Sequence, residues 1–234
     1  MYLPETLNYI LFGYYPYLCI TVFFIGSLLR FEREQYTWRA ASSQILRKKQ
    51  LRWGSILFHG GILFLFFGHL VGLLTPHWVY EPFISAETKQ WVAIITGGAA
   101  GAVCFVGLSM LLHRRLFDPR IRVTSTYNDM AVLIILWVQL SIGLITLPFS
   151  IEHADGGATM LRLSEWAQKI MTWQPGAAEL IQGLDWPYQV HLVLGMTIFL
   201  FFPFTRLVHV WSAPFGFLFR RGWQIVRTRQ REAV

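Results

Sequence analysis

Four histidines stand inside apolar runs long enough to cross a membrane. His59 and His69 lie in Leu51–Trp78, and His191 and His209 lie in Trp186–Trp211. A neutral imidazole offers a ring nitrogen lone pair and is a common axial ligand of haem iron. Ionisable groups in hydrocarbon are costly and mark functional sites by default. A single such histidine could simply hydrogen-bond a neighbouring carbonyl. Four, two on each of two runs at matched positions, point instead to a pair of iron porphyrins, each gripped by one imidazole from each run. The chemistry is then one-electron transfer along the bilayer normal. His77, His113 and His153 stand beside a proline, beside an arginine and in a connecting segment, so they read as solvated or interfacial side chains.

The elements that must carry these ligands are membrane helices. The chain of 234 residues is 54% hydrophobic and only 14% charged, against about 25% charge in a soluble domain. A span needs roughly 20 apolar residues for about 30 Å of hydrocarbon. Five stretches qualify, at about 7–29, 54–74, 91–112, 129–149 and 187–211. The predicted fold is therefore an all-α membrane protein of five transmembrane helices, one integral-membrane dihaem domain over 1–234. No separate soluble domain fits between them.

Basic residues orient the bundle. Segments 30–52, 113–127 and 212–234 hold seven, four and five Lys or Arg, whereas the opposite connections hold only Lys89, Arg162 and Lys169. By the positive-inside rule the N-terminus is expected outside and the C-terminus in the cytoplasm. The net charge of +7 thus reads as lipid head-group and partner contact, not nucleic-acid binding. With Glu5 and no basic residue ahead of it, the first run is expected to be retained in the membrane. Cys19 and Cys104 lie within spans, and no C-x-x-C-H sequence attaches a c-type haem. Two thiols also fall short of an iron–sulfur cluster.

Orientation fixes the pairing. The second span rises and the fifth descends, so His69 faces His191 near the outside and His59 faces His209 near the inside. Ten residues on one helix and eighteen on the other give rises of about 15 and 27 Å, hence irons about 21 Å apart. Eighteen residues return to one helix face, with Pro203 expected to kink the run. Gly60, Gly61, Gly68 and Gly195 leave room for a flat ring. The small-residue stretch Gly97–Ala102 reads as close helix packing, and Met160–Met171 as an amphipathic piece along the surface. Lys89 is the basic residue in the connection next to His69, placed either to hydrogen-bond a quinol oxygen or to snorkel to the head groups. Arg52, Arg114, Arg115 and Arg206 are candidates for haem propionates, though the charge bias explains them equally.

At these residues a family resemblance emerges. Gln35–Gln44 (QYTWRAASSQ), Phe58-His59 through Gly68-His69, Leu74–Trp78 (LTPHW), His191–Met196 (HLVLGM) and Arg206–Trp211 (RLVHVW) resemble the gamma subunit of respiratory nitrate reductase, a membrane cytochrome b. The resemblance implies two haem b groups, with His69 and His191 on the distal iron and His59 and His209 on the proximal one. It implies a bacterial inner-membrane protein that oxidises quinol (menaquinol or ubiquinol) at the outer face, at a site including Lys89. Electrons would pass inward to an iron–sulfur beta subunit and a molybdenum alpha subunit that reduces nitrate. The rival readings are a haem-b quinone-linked subunit of another reductase, for example one for sulfur compounds, a membrane transporter, and a non-redox membrane anchor. A transporter fits poorly because five spans do not divide into repeated halves.

Overall fold

In the computed structural model, residues 3–34, 36, 38 and 46–212 are described. Among the described residues, five helices are long and apolar enough to cross a bilayer: Glu5–Arg33, Lys48–Leu74, Ala86–Phe117, Tyr127–Glu152 and Trp186–Phe204. They contain all five expected runs, extended into polar ends, except that the fifth falls short. Ser85 starts the third span by accepting from the Thr88 amide, and Thr126 starts the fourth in a reciprocal capping box with Asp129, satisfying amides that a helix start leaves free. Leu63, Phe64, Phe66 and Phe67 on the second span remain exposed, the expected state of side chains facing lipid. Part of the basic loop after the first span, Arg39 included, and the basic tail from 213 lie outside the described residues.

The closest seam joins the second and third spans. A Cβ on Gly107 would stand 2.4 Å from the Phe58 nitrogen, and one on Gly61 would stand 2.6 Å from Cys104 Cβ. Gly54 packs on Leu111 and Gly107 in the same seam. Small residues bring the backbones together because lipid supplies no hydrophobic force between helices. The Gly97–Ala102 stretch packs closely on both neighbours, and Ala100 O would stand 2.9 Å from a Cβ on Gly61 of the second span. Gly97 meets nothing within 4 Å, and Gly98 and Gly101 face Leu147 and Leu144 of the fourth span.

The run 187–211 is not one helix. Its α-helix ends at Phe201, Phe202–Phe204 is a 3-10 turn, Thr205 is extended at φ −119° and ψ 175°, and Arg206–Ser212 is again 3-10. Pro203 cannot donate an amide hydrogen and breaks the ladder rather than kinking it. The freed carbonyls find a cation: Arg30 Nη1 donates to Pro203 O at 2.6 Å and to Thr205 O at 2.8 Å. The expected 27 Å rise and the shared helix face of His191 and His209 therefore do not hold.

Segment 153–185 also departs from expectation. Its helix Ala158–Met171 does not simply lie along the surface. Trp166, Ala167 and Ile170 join Phe12, Ala177, Ala178, Ile181 and Leu184 in a buried cluster that caps one end of the bundle. The cap binds helix ends. Gln168 Nε2 donates to Leu73 O and Thr75 O at 2.9 and 3.3 Å, and Ser164 Oγ to Gly72 O at 3.3 Å. These are the carbonyls that the stop at Thr75-Pro76 leaves open. Trp166 Nε1 likewise donates at 3.0 Å to Phe12 O, inside the π-helical stretch Ile10–Tyr14 where the ordinary ladder is interrupted. Gln168→Leu removes both donors at nearly constant volume. It should cost about 1–3 kcal/mol, read as a lower thermal denaturation midpoint of the purified protein. An unchanged midpoint would mean that water serves those carbonyls as well.

Candidate functional site

Three of the four span histidines share one local device. Nδ1 of His59 lies 2.8 Å from Ser55 O, Nδ1 of His69 lies 2.7 Å from Leu65 O, and Nδ1 of His209 lies 2.6 Å from Arg206 O. A carbonyl oxygen only accepts, so Nδ1 must carry the proton, leaving the Nε2 lone pair free. Such a partner for the other ring nitrogen is the usual companion of a metal-bound histidine. The same carbonyl bond therefore leaves Nε2 of each ring as the open nitrogen.

The rings of His69 and His191, the expected distal pair, lie near one another. Their ring centroids are 6.3 Å apart with planes at 36°. Two imidazoles on one metal, with bonds of about 2 Å and each ring centre about 1 Å behind its nitrogen, have centroids roughly 6 Å apart. Beside His59 and His69 there is space, since a Cβ at Gly60 or Gly68 would meet nothing within 4 Å, whereas Gly61 and Gly195, also expected to leave room, are closed by Cys104 and Gln139. His59 and His69 are exposed on the second span, whose buried residues are Gly54 and Gly61. Imidazoles with Nε2 open and glycines without neighbours on a lipid-embedded face fit a flat porphyrin, and the donor set fits haem b. Among the described residues no ring contact joins His59 and His209. The break after Phe201 places His209 on the 3-10 segment, in register with neither the fifth helix nor a simple rise estimate.

Lys89 does not snorkel. Its Nζ lies 3.8 Å from the centroid of the Tyr80 ring and is buried without a hydrogen-bond partner. Tyr80, in the short helix His77–Tyr80, is itself buried with an unpartnered hydroxyl. The aromatic face stabilises the ammonium, yet all three ammonium donors stay available to an incoming oxygen. From the sequence, Tyr80 reads only as part of an interfacial aromatic belt with Trp78 and Trp91, not as a partner of Lys89.

At the arginine-rich end, Asp129 is buried between two cations. Arg115 Nη1 stands 3.3 Å from Oδ2 and Arg206 Nη1 3.2 Å from Oδ1. This ties the segment carrying His209 to the start of the fourth span. Arg114 donates to Leu46 O at 2.6 Å, and Arg47 pairs with Asp118 at 2.7 Å. Arg114, Arg115 and Arg206, candidates for propionates, thus have protein partners. The remaining histidines behave as expected: His77 is near Glu81, His153 near Asp185, and His113 against Phe117, all at helix edges and exposed.

Comparison with known proteins agrees with this architecture. A family model described as "Nitrate reductase gamma subunit" matches residues 8–229. The chain is 51% identical over 226 residues to the Respiratory nitrate reductase 2 gamma chain of Escherichia coli (strain K12), covering 97% of this chain and 99% of that one. It is 37% identical to the Nitrate reductase gamma chain of Bacillus subtilis (strain 168), covering 94% and 98% of the two chains. It is 27% identical to an Hdr-like menaquinol oxidoreductase cytochrome b-like subunit of Archaeoglobus fulgidus, covering 85% of this chain and 58% of that one. Five apolar spans and these bacterial relatives mark a multi-pass protein of the bacterial inner membrane. The chain belongs to the nitrate reductase gamma subunit family, the membrane subunit of an oxidoreductase complex.

Proposed function

We propose that this subunit oxidises quinol near the outer face of the membrane and delivers the electrons to iron–sulfur and molybdenum subunits on the cytoplasmic side, where nitrate is reduced. The carrying observation is the approach of His69 and His191 from two antiparallel spans to 6.3 Å. The orientation, N-terminus outside and C-terminus inside, is supported by the crowding of basic residues into segments 30–52, 113–127 and 212–234.

His69 and His191 would hold a distal haem b, and His59 and His209 a proximal one. Haem b, when bound at these imidazoles, supplies a one-electron path between the two membrane faces. The Nδ1–H bonds to Leu65, Ser55 and Arg206 carbonyls lock three of the rings for that duty. Lys89 is the quinol residue. Its ammonium, with no hydrogen-bond partner of its own, donates to a quinol oxygen and stabilises the negative charge that develops as a hydroxyl proton leaves. Both quinol protons go to the outer medium, while its two electrons go inward. A related protein whose name includes menaquinol oxidoreductase and cytochrome b-like supports the substrate class.

The test is Lys89→Ala in the assembled complex. Losing one charge-assisted hydrogen bond of about 1.5–3 kcal/mol should slow haem reduction by quinol roughly 10–100-fold, with both haems still bound. Wild-type kinetics in that variant would remove Lys89 from the quinol site.

A further inference from the structure

Of the four span histidines, His191 alone lacks a carbonyl partner for Nδ1, which is buried and meets no hydrogen-bond partner. The neighbouring side chain is Gln139 of the fourth span. Gln139 Nε2 lies 3.1 Å from His191 O and 3.4 Å from His191 Nε2. Because the backbone carbonyl can only accept, the amide nitrogen is assigned to that side, and Gln139 Oε1 is left as an acceptor. That oxygen too is buried with no partner. Two touching side chains therefore hold one unmatched ring nitrogen and one unmatched carbonyl oxygen. Glycines shape the place. A Cβ at Gly143 would come within 2.8 Å of His191 Cε1, and one at Gly195 within 3.2 Å of Gln139 Nε2.

We infer that Gln139 is the positioning residue of His191, its Oε1 accepting the Nδ1–H when Nε2 of the ring is turned to haem iron. The inference rests on reading His191 as a haem ligand. An iron-bound imidazole carries its proton on Nδ1 and needs an acceptor there. The ring torsion about Cβ–Cγ is broad, so Nδ1 can turn toward the amide. The other three ligands use backbone carbonyls, which no substitution removes. His191 uses a side chain, so its basicity is adjustable. An acceptor on Nδ1–H makes the ring a stronger donor to iron and favours the oxidised metal, lowering the potential of the distal haem alone.

Optical redox titration of the complete membrane complex tests this, with His191→Ala identifying the distal haem by its loss. Gln139→Leu keeps volume and removes the acceptor. It should raise the midpoint of that haem and leave the other unmoved. Gln139→Glu keeps an acceptor oxygen and should hold the midpoint at or below the wild-type value, which also serves if the leucine variant fails to assemble. An unmoved distal midpoint in Gln139→Leu, equal shifts of both haems, or a raised midpoint in Gln139→Glu would overturn the inference while leaving His191 a ligand. Retention of both haems in His191→Ala would instead overturn the ligand reading, and the inference with it.

Discussion

Replacing His69 by alanine should remove one of two low-spin b haems from the assembled complex, and replacing His191 should remove the same one. The two rings stand 6.3 Å apart on oppositely running helices, so on the proposed pairing each variant would leave the same iron with a single protein ligand. Haem content should fall by about half in both, and quinol-driven electron transfer should fall by more than the roughly 10–100-fold that the loss of an outer partner of a metal ligand costs. Reduced-minus-oxidised spectra of the two variants should superimpose. His59→Ala and His209→Ala should each remove the complementary component. Spectra showing that His69→Ala and His191→Ala lose different haems would refute the pairing.

Gly107→Val should prevent the protein from accumulating in the membrane, whatever the state of the ligands. The added Cβ would meet the Phe58 nitrogen at 2.4 Å, the Leu57 Cβ at 2.8 Å and the Gly54 oxygen at 2.9 Å. Two of these are backbone atoms of a helix and cannot swing aside. Overpacking ordinarily costs about 1–3 kcal/mol and more when backbone must move. Here the second span would be displaced together with His59, one residue beyond Phe58, so any protein that does assemble should lose haem as well. Gly97→Ala is the matched control, because a Cβ there meets nothing within 4 Å. Normal yield and full haem content in Gly107→Val would mean that the second and third spans do not touch at this seam.

Much of this was readable residue by residue. The apolar runs located the five spans among the described residues, with the end of the fifth misplaced, because a helix in hydrocarbon tolerates few charges, and the resemblance at Phe58–His69 and His191–Met196 led to the right family. A polar residue within an apolar run, Gln139, was an available signal that composition did not weigh. Pro203 was visible, yet whether it kinks or breaks a helix depends on who receives the freed carbonyls, and Arg30 is 173 residues away from the nearer one. Met160–Met171 was amphipathic by pattern, but amphipathicity does not say whether the apolar face meets lipid or protein.

What the sequence alone determined, then, was the set of spans and the family, since both depend on residue types along the chain. Tertiary structure decided which glycines touch, that Lys89 rests on Tyr80 with its donors free, that Asp129 holds Arg115 and Arg206, and that His191 looks to Gln139. Each of these is a meeting of atoms from different spans. Periodicity along one helix reports which face is apolar, but the partner of a buried polar atom depends on the packing of the other helices against it.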